Sequence, residues 1–182
     1  MKNILLSVSL ACLLLSTATG CYAKGPWKGK VIDAETKQPI DGAAVVAVWY
    51  KSYRGPAGLS TGYLDASETL TDKEGRFEIP SFWALHIFFV REISGPIFTI
   101  YKPGYGSYPR YQVSPKPPIP YETIFGEKED VVELPKVKTN QERLDSLRGV
   151  STPAPWGDVP KLKELVNKER IFLDFEPYPA NK

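Results

Sequence analysis

Apolar and polar residues along this chain fall into short runs of β-strand length, and only the C-terminal part carries a helical period. Trp27, Gly29 and Val31 alternate with Lys28, Lys30 and Ile32, which predicts a first strand over 27–33. Residues 43–50 are almost continuously apolar and β-branched, the composition of a strand covered on both sides. The stretch Thr69-Leu-Thr-Asp-Lys-Glu-Gly-Arg-Phe-Glu-Ile79 reads as a strand, a four-residue turn and a second strand, a hairpin over about 66–79. Asp72 suits the first turn position, where its carboxylate accepts an amide hydrogen two residues on, and Gly75 suits the last, where positive φ is needed. Residues 51–65 hold Tyr53, Gly55, Pro56, Gly58, Gly62 and Tyr63 without periodicity and predict a long loop. Residues 82–93 are heavily apolar, as core or as an exposed patch, and Gly95-Pro96 breaks them from a strand over 97–101. A turn over 102–106, a strand over 108–113, a proline-rich segment over 114–120 and a last strand over 130–134 complete the β part.

From Thr139 the period changes. Thr139-Asn-Gln-Glu142 is a capping box, followed by Leu144, Leu147 and Val150 on one helical face. A second helix opens near Asp158 with Pro160 in its first turn; Leu162, Leu165 and Val166 share a face, and Glu164 with Lys168 makes a favourable pair one turn apart. Such short helices are stable only when docked.

Composition then limits the classes of function. With 42% hydrophobic and 24% charged residues the chain is that of a folded protein. A net charge of +2 without a basic stripe argues against nucleic acid as a partner. Lys2 and the apolar run over 4–15 predict a secretory signal peptide over 1–20. The run stops at Ala18-Thr19-Gly20-Cys21, which resembles the lipobox of bacterial lipoproteins, with Ala18 where that motif usually has Leu. The resemblance implies a lipidated Cys21 as the new N-terminus, a membrane partner through that lipid and a place in the bacterial cell envelope. Tyr22 in place of Asp after the Cys would, on the same resemblance, suit passage to the outer membrane. Ordinary cleavage near Gly20 or Ala23 is the competing reading. Cys12 leaves with the signal, so Cys21 is the one Cys of the mature chain and forms no internal disulfide.

The β part also resembles the carboxypeptidase regulatory-like domain. The matching residues are Gly29-Lys-Val31-Ile-Asp33, Thr36, Gln38-Pro39-Ile40-Asp-Gly42-Ala43-Ala-Val45-Val, Thr71-Asp72-x-x-Gly75-x-Phe77-x-Ile79, Phe98-x-Ile100 and Lys102-x-Gly104-Tyr105. The resemblance implies a mainly β, seven-stranded antiparallel Ig/transthyretin-like β-sandwich without catalytic activity, here followed by two short C-terminal helices. The expected organisation is a signal peptide over 1–20, a tether over 21–26, the sandwich over 27–135 and a helical extension over 136–182.

Candidate chemistry is sparse. One His, His86, supports neither a zinc site nor a hydrolase of the transthyretin-like kind, and no nucleophile signature surrounds it. Asp65, Glu68, Asp72, Glu74 and Glu78 are interleaved with Lys73 and Arg76 and lack calcium-loop spacing, so they read as turn residues and solvated strand face. No catalytic residue, metal or cofactor is therefore expected. If strands run alternately up and down, the links 33–42, 72–75 and 102–106 share one end, and the longer links 51–65, 80–95 and 114–128 share the other. That second end carries the candidate binding patch of Tyr53, Tyr63, Phe82, Trp83, Phe88 and Phe89. Packing of these aromatics under the C-terminal helices is the plainer alternative. The expected function is a lipid-anchored envelope binding or structural module with a protein or glycan partner. An envelope hydrolase using carboxylates that the sequence does not pair, or an accessory subunit of an envelope complex, are the alternatives.

Overall fold

The computed structural model describes residues 21–55, 58–85, 92–110 and 130–179. Over these residues 46% lie in strands and 18% in helices, so the helices are an addition to a β body. The strands are β1 (Cys21–Lys24), β2 (Trp27–Asp33), β3 (Ala44–Gly55), β4 (Gly58–Leu70), β5 (Arg76–Ile79), β6 (Phe82–Leu85), β7 (Glu92–Tyr101), β8 (Ser107–Tyr108) and β9 (Asp130–Leu134). The helices are α1 (Asn140–Gly149) and α2 (Pro160–Phe172). Three sheets result, a ribbon β1-β6, a three-stranded sheet β5-β2-β9 and a four-stranded sheet β4-β3-β7-β8.

The core has two layers because β3 is apolar on both faces. Val45, Ala47 and Trp49 point between the two larger sheets, where they meet Trp27, Val31, Phe77, Ile79, Phe98 and Leu134. Ala44, Val46 and Val48 point the other way and meet Val159, Leu162, Leu165 and Val166 of the helical layer. The four-stranded sheet is thus buried on one side by a sheet and on the other by helices. The near-continuous apolar run of residues 43–50 serves this position, since alternation is lost when neither face is wet.

Several expectations change in the fold. The described residues hold nine strands in three sheets, where seven antiparallel strands were expected. One pairing, Val31 with Val132 at its centre, joins β2 and β9 in parallel. A parallel pair needs a long connection between its strands, and most of the chain lies between these two. The residues read as a tether include β1, whose Ala23 pairs with Trp83 of β6. The expected loop 51–65 is instead two strand arms, since β3 runs to Gly55 and β4 starts at Gly58. Along the β4 arm every residue sees solvent or partial cover, and the buried residue of the β3 arm is the polar Ser52, so the ladder forms without any apolar alternation that a sequence could display. The break at Gly95-Pro96 lies inside β7, at a register shift opposite Trp49, where a Pro without an N–H costs no ladder bond. Of the strand expected over 108–113, only Ser107–Tyr108 forms β8 among the described residues.

The stretch 69–79 changes most. β4 pairs with β3, and β5 pairs with β2, so the two strands flanking the turn belong to different sheets. The turn is a corner that carries the chain across the core rather than the tip of a hairpin.

The helices form where the capping and periodicity signals lie. Thr139 Oγ1 accepts from Glu142 N at 3.1 Å, and Glu142 Oε2 accepts from Thr139 N at 3.0 Å, which completes the capping box of α1. α2 has no side-chain cap of its own. Glu68 of β4 supplies one from outside, accepting from Lys161 N at 2.7 Å and Leu162 N at 3.0 Å. A carboxylate on the free amides of a helix start contributes about 1 kcal/mol.

Candidate functional site

The two ends of the β body differ in kind. At one end three compact links meet. Gly75 lies against Val31 O and Pro39, and Lys102 Nζ donates to Asp41 O at 2.8 Å, so the links 33–42, 72–75 and 102–106 touch. Thr71, buried beside the corner, donates to Ile40 O at 2.6 Å and accepts from Ala43 N at 2.8 Å. At the other end the chain is extended. There the six residues 50–55 of β3 and their partners in β4 continue past Trp49, a reach of about 20 Å at strand rise. The ribbon β1-β6 leaves the same end, since β1 leads into the start of β2 and β6 follows the end of β5.

The sequence-selected residues separate into exposed and packed groups. Trp83 is 68% exposed and Tyr53 39% exposed. Phe82, by contrast, stacks on the buried Trp49 with ring centroids 4.4 Å apart and 15° between planes. It is the joint that fixes the ribbon to the core. Tyr63 turns towards the helical layer, where its hydroxyl donates to Asp158 Oδ2. Burial first, and then the Asp158 carboxylate, push its ionisation well above the usual phenol range. Phe88, Phe89 and His86 lie outside the described residues, as does the side chain of Cys21.

Leu59, on the β4 side of the arm, is 62% exposed and was not singled out from the sequence. Its signal was available in the two glycines three apart, Gly55 and Gly58, which bracket the reversal between the arms. Tyr53 crosses the arm towards Gly62, where a Cβ would lie 3.2 Å from the Tyr53 hydroxyl oxygen. The glycine therefore gives the ring room to lie on the strand.

A cleft of about 570 Å³ opens beside Thr69, Leu70, Arg76, Phe77 and Glu78. It exists because β4 and β5 diverge into different sheets after sharing the corner. Lys28 and Glu78 pair across its wall at 3.2 Å. Reading residues 69–79 as a hairpin hides this cleft, since paired strands leave none.

Four of the five acids of residues 65–78 have structural partners, Glu78 in its pair with Lys28 and three others in backbone amides. Asp65 accepts from Ala66 N, Glu68 caps α2, and Asp72 Oδ1 accepts from Glu74 N at 3.0 Å and Arg76 N at 2.7 Å. Among the described residues of the β body, Asp33 is the buried carboxylate. Burial acts to raise its pKa, but the amides of Thr36 and Glu35, the Thr36 hydroxyl and the Lys136 charge outweigh burial and hold it below the usual carboxylate range. A depressed folded-state pKa adds stability above the unfolded carboxyl's pKa and loses it as pH falls through the folded value. Asp33→Asn is therefore expected to flatten the loss of stability from about pH 4 downward. Urea midpoints at pH 7 and pH 3 check this; an unchanged difference between the two would remove Asp33 from the acid response.

No protein-family model, curated protein or solved structure matches this chain. Among the described residues no helix is long and apolar enough to cross a membrane.

Proposed function

We propose that this chain is a lipid-anchored, non-catalytic module of the bacterial cell envelope, built on a carboxypeptidase regulatory-like sandwich, which binds a protein or glycan partner through its extended end. Support for the sandwich comes from the order of the motif pieces and from the two larger sheets that share one core. Support for the anchor comes from the lipobox-like Ala18-Thr19-Gly20-Cys21.

The observation that carries the binding reading is the arm of β3 and β4. It continues past Trp49, the packed Tyr50 and the buried Ser52, and exposes Leu59 and Tyr53 towards its far end. Exposed apolar groups on a paired, ordered ribbon offer contact area at small entropic cost, because the backbone is already fixed.

A photo-crosslinking residue at Leu59, compared in living cells with one at Lys73 in the corner, tests this. One adduct of discrete mass is expected at Leu59, lost when Tyr53→Ala is added, and none at Lys73. Equal adducts at both positions, or none at Leu59, would sink the reading.

A further inference from the structure

We propose that the β1-β6 ribbon rests on the lipid bilayer and that Trp83 is its interfacial anchor. This inference rests on the lipidation of Cys21. Cys21 is itself the first residue of β1 and pairs with Leu85, so the ladder begins at the residue that would carry the lipid. No free segment stands between lipid and fold to hold the protein away from the surface. Ala23, two residues further on and about 7 Å along the strand, pairs with Trp83. An indole held at that distance from acyl chains embedded in the bilayer lies at headgroup depth.

The ribbon presents the chemistry that this depth selects. Phe82 is turned inward on Trp49, and the alternation of the strand sends its neighbour Trp83 to the opposite face. Of the four tryptophans, Trp27 and Trp49 are buried, Trp156 stacks half-buried on Tyr178, and Trp83 alone stands out into solvent. Tryptophan prefers the membrane–water interface, where its apolar ring and its N–H are both satisfied. The ribbon and the arm leave the body at the same end, so the arm's partner would be met close to the membrane surface.

The test uses the full chain made in cells that process lipoproteins, labelled with a palmitate analogue, purified and reconstituted in vesicles of phosphatidylcholine brominated at shallow acyl positions. Tryptophan fluorescence of the labelled wild type is expected to be quenched relative to vesicles without bromine, and Trp83→Phe is expected to lose most of that quenching. Bromine placed deep in the acyl chains should quench less than shallow bromine. Labelled protein that is not quenched, or equal quenching in wild type and Trp83→Phe, would overturn the inference and leave the lipid anchor standing. Equal labelling of wild type and Cys21→Ala would remove the anchor, and the inference with it.

Discussion

Gly75→Val is expected to lower the stability of the fold by about 4 kcal/mol, a large share of what a domain of this size possesses. Two costs combine. Gly75 has φ +75°, where a β-branched residue is strained. A Cβ there would also lie 2.4 Å from the backbone oxygen of Val31, closer than real Cβ atoms come, and 3.1 Å from Pro39 Cβ, a tight contact that only a small shift relieves. The contact cannot relax cheaply, because Val31 N donates to Gly75 O at 2.8 Å and so ties the same two backbones together. Since the clash is made by Cβ, Gly75→Ala should already incur most of the loss. Asp72→Ala removes two exposed acceptor contacts and is expected to cost only about 1 kcal/mol. Urea unfolding of the three variants orders them; a Gly75→Ala protein as stable as wild type would show that the corner can open away from β2.

That corner also shows what the sequence could and could not convey. Asp72, Gly75, Phe77 and Ile79 report local backbone needs, and those needs are met: Asp72 receives the amides, Gly75 takes positive φ, and Phe77 and Ile79 enter the core. Which strand each flank pairs with is decided by distant residues, Ala44 to Leu70 on one side and Gly29 to Phe77 on the other, and the local pattern is the same either way. The same limit hid β1, whose partner β6 lies about sixty residues away, and the parallel partner of β2. The arm was hidden for another reason. Burial of apolar residues produces alternation, and strands whose cover is partial and whose buried residue is Ser52 carry none. The helices were legible because caps and i,i+4 pairs are local; Glu164 and Lys168 meet at 2.7 Å. The cap of α2 was not, because Glu68 reaches it from another element. Of the candidate surface, residue type marked Trp83 and Tyr53, while only packing could separate them from Phe82 and Tyr63.

The second large effect is expected between the helices. Arg143 of α1 donates from Nη1 to Glu169 Oε1 of α2 at 2.8 Å, with Glu169 only 2% exposed. The guanidinium also lies over the Phe172 ring, 4.3 Å from its centroid. Tyr101 at the end of β7 is buried nearby, and burial together with the Glu169 charge pushes its ionisation up, so it stays a neutral neighbour of the pair. Taking Arg143 away leaves a carboxylate enclosed without its counter-charge, which costs about 3–5 kcal/mol in buried pairs. Arg143→Met is therefore expected to destabilise by that amount. Replacing both partners, Arg143→Met with Glu169→Leu, removes the buried charge as well and should restore most of the loss. A double-mutant cycle in urea, followed by circular dichroism, reads the coupling directly. If Arg143→Met alone costs no more than the roughly 1 kcal/mol typical of surface pairs, Glu169 reaches water when its partner is gone. The helical layer would then be held by Leu162, Leu165 and Val166 against Val46 and Val48 rather than by this pair. If the single change is severe and the double change mild, the pair fixes how α1 and α2 meet, while the apolar face supplies the energy that holds them on the sheet.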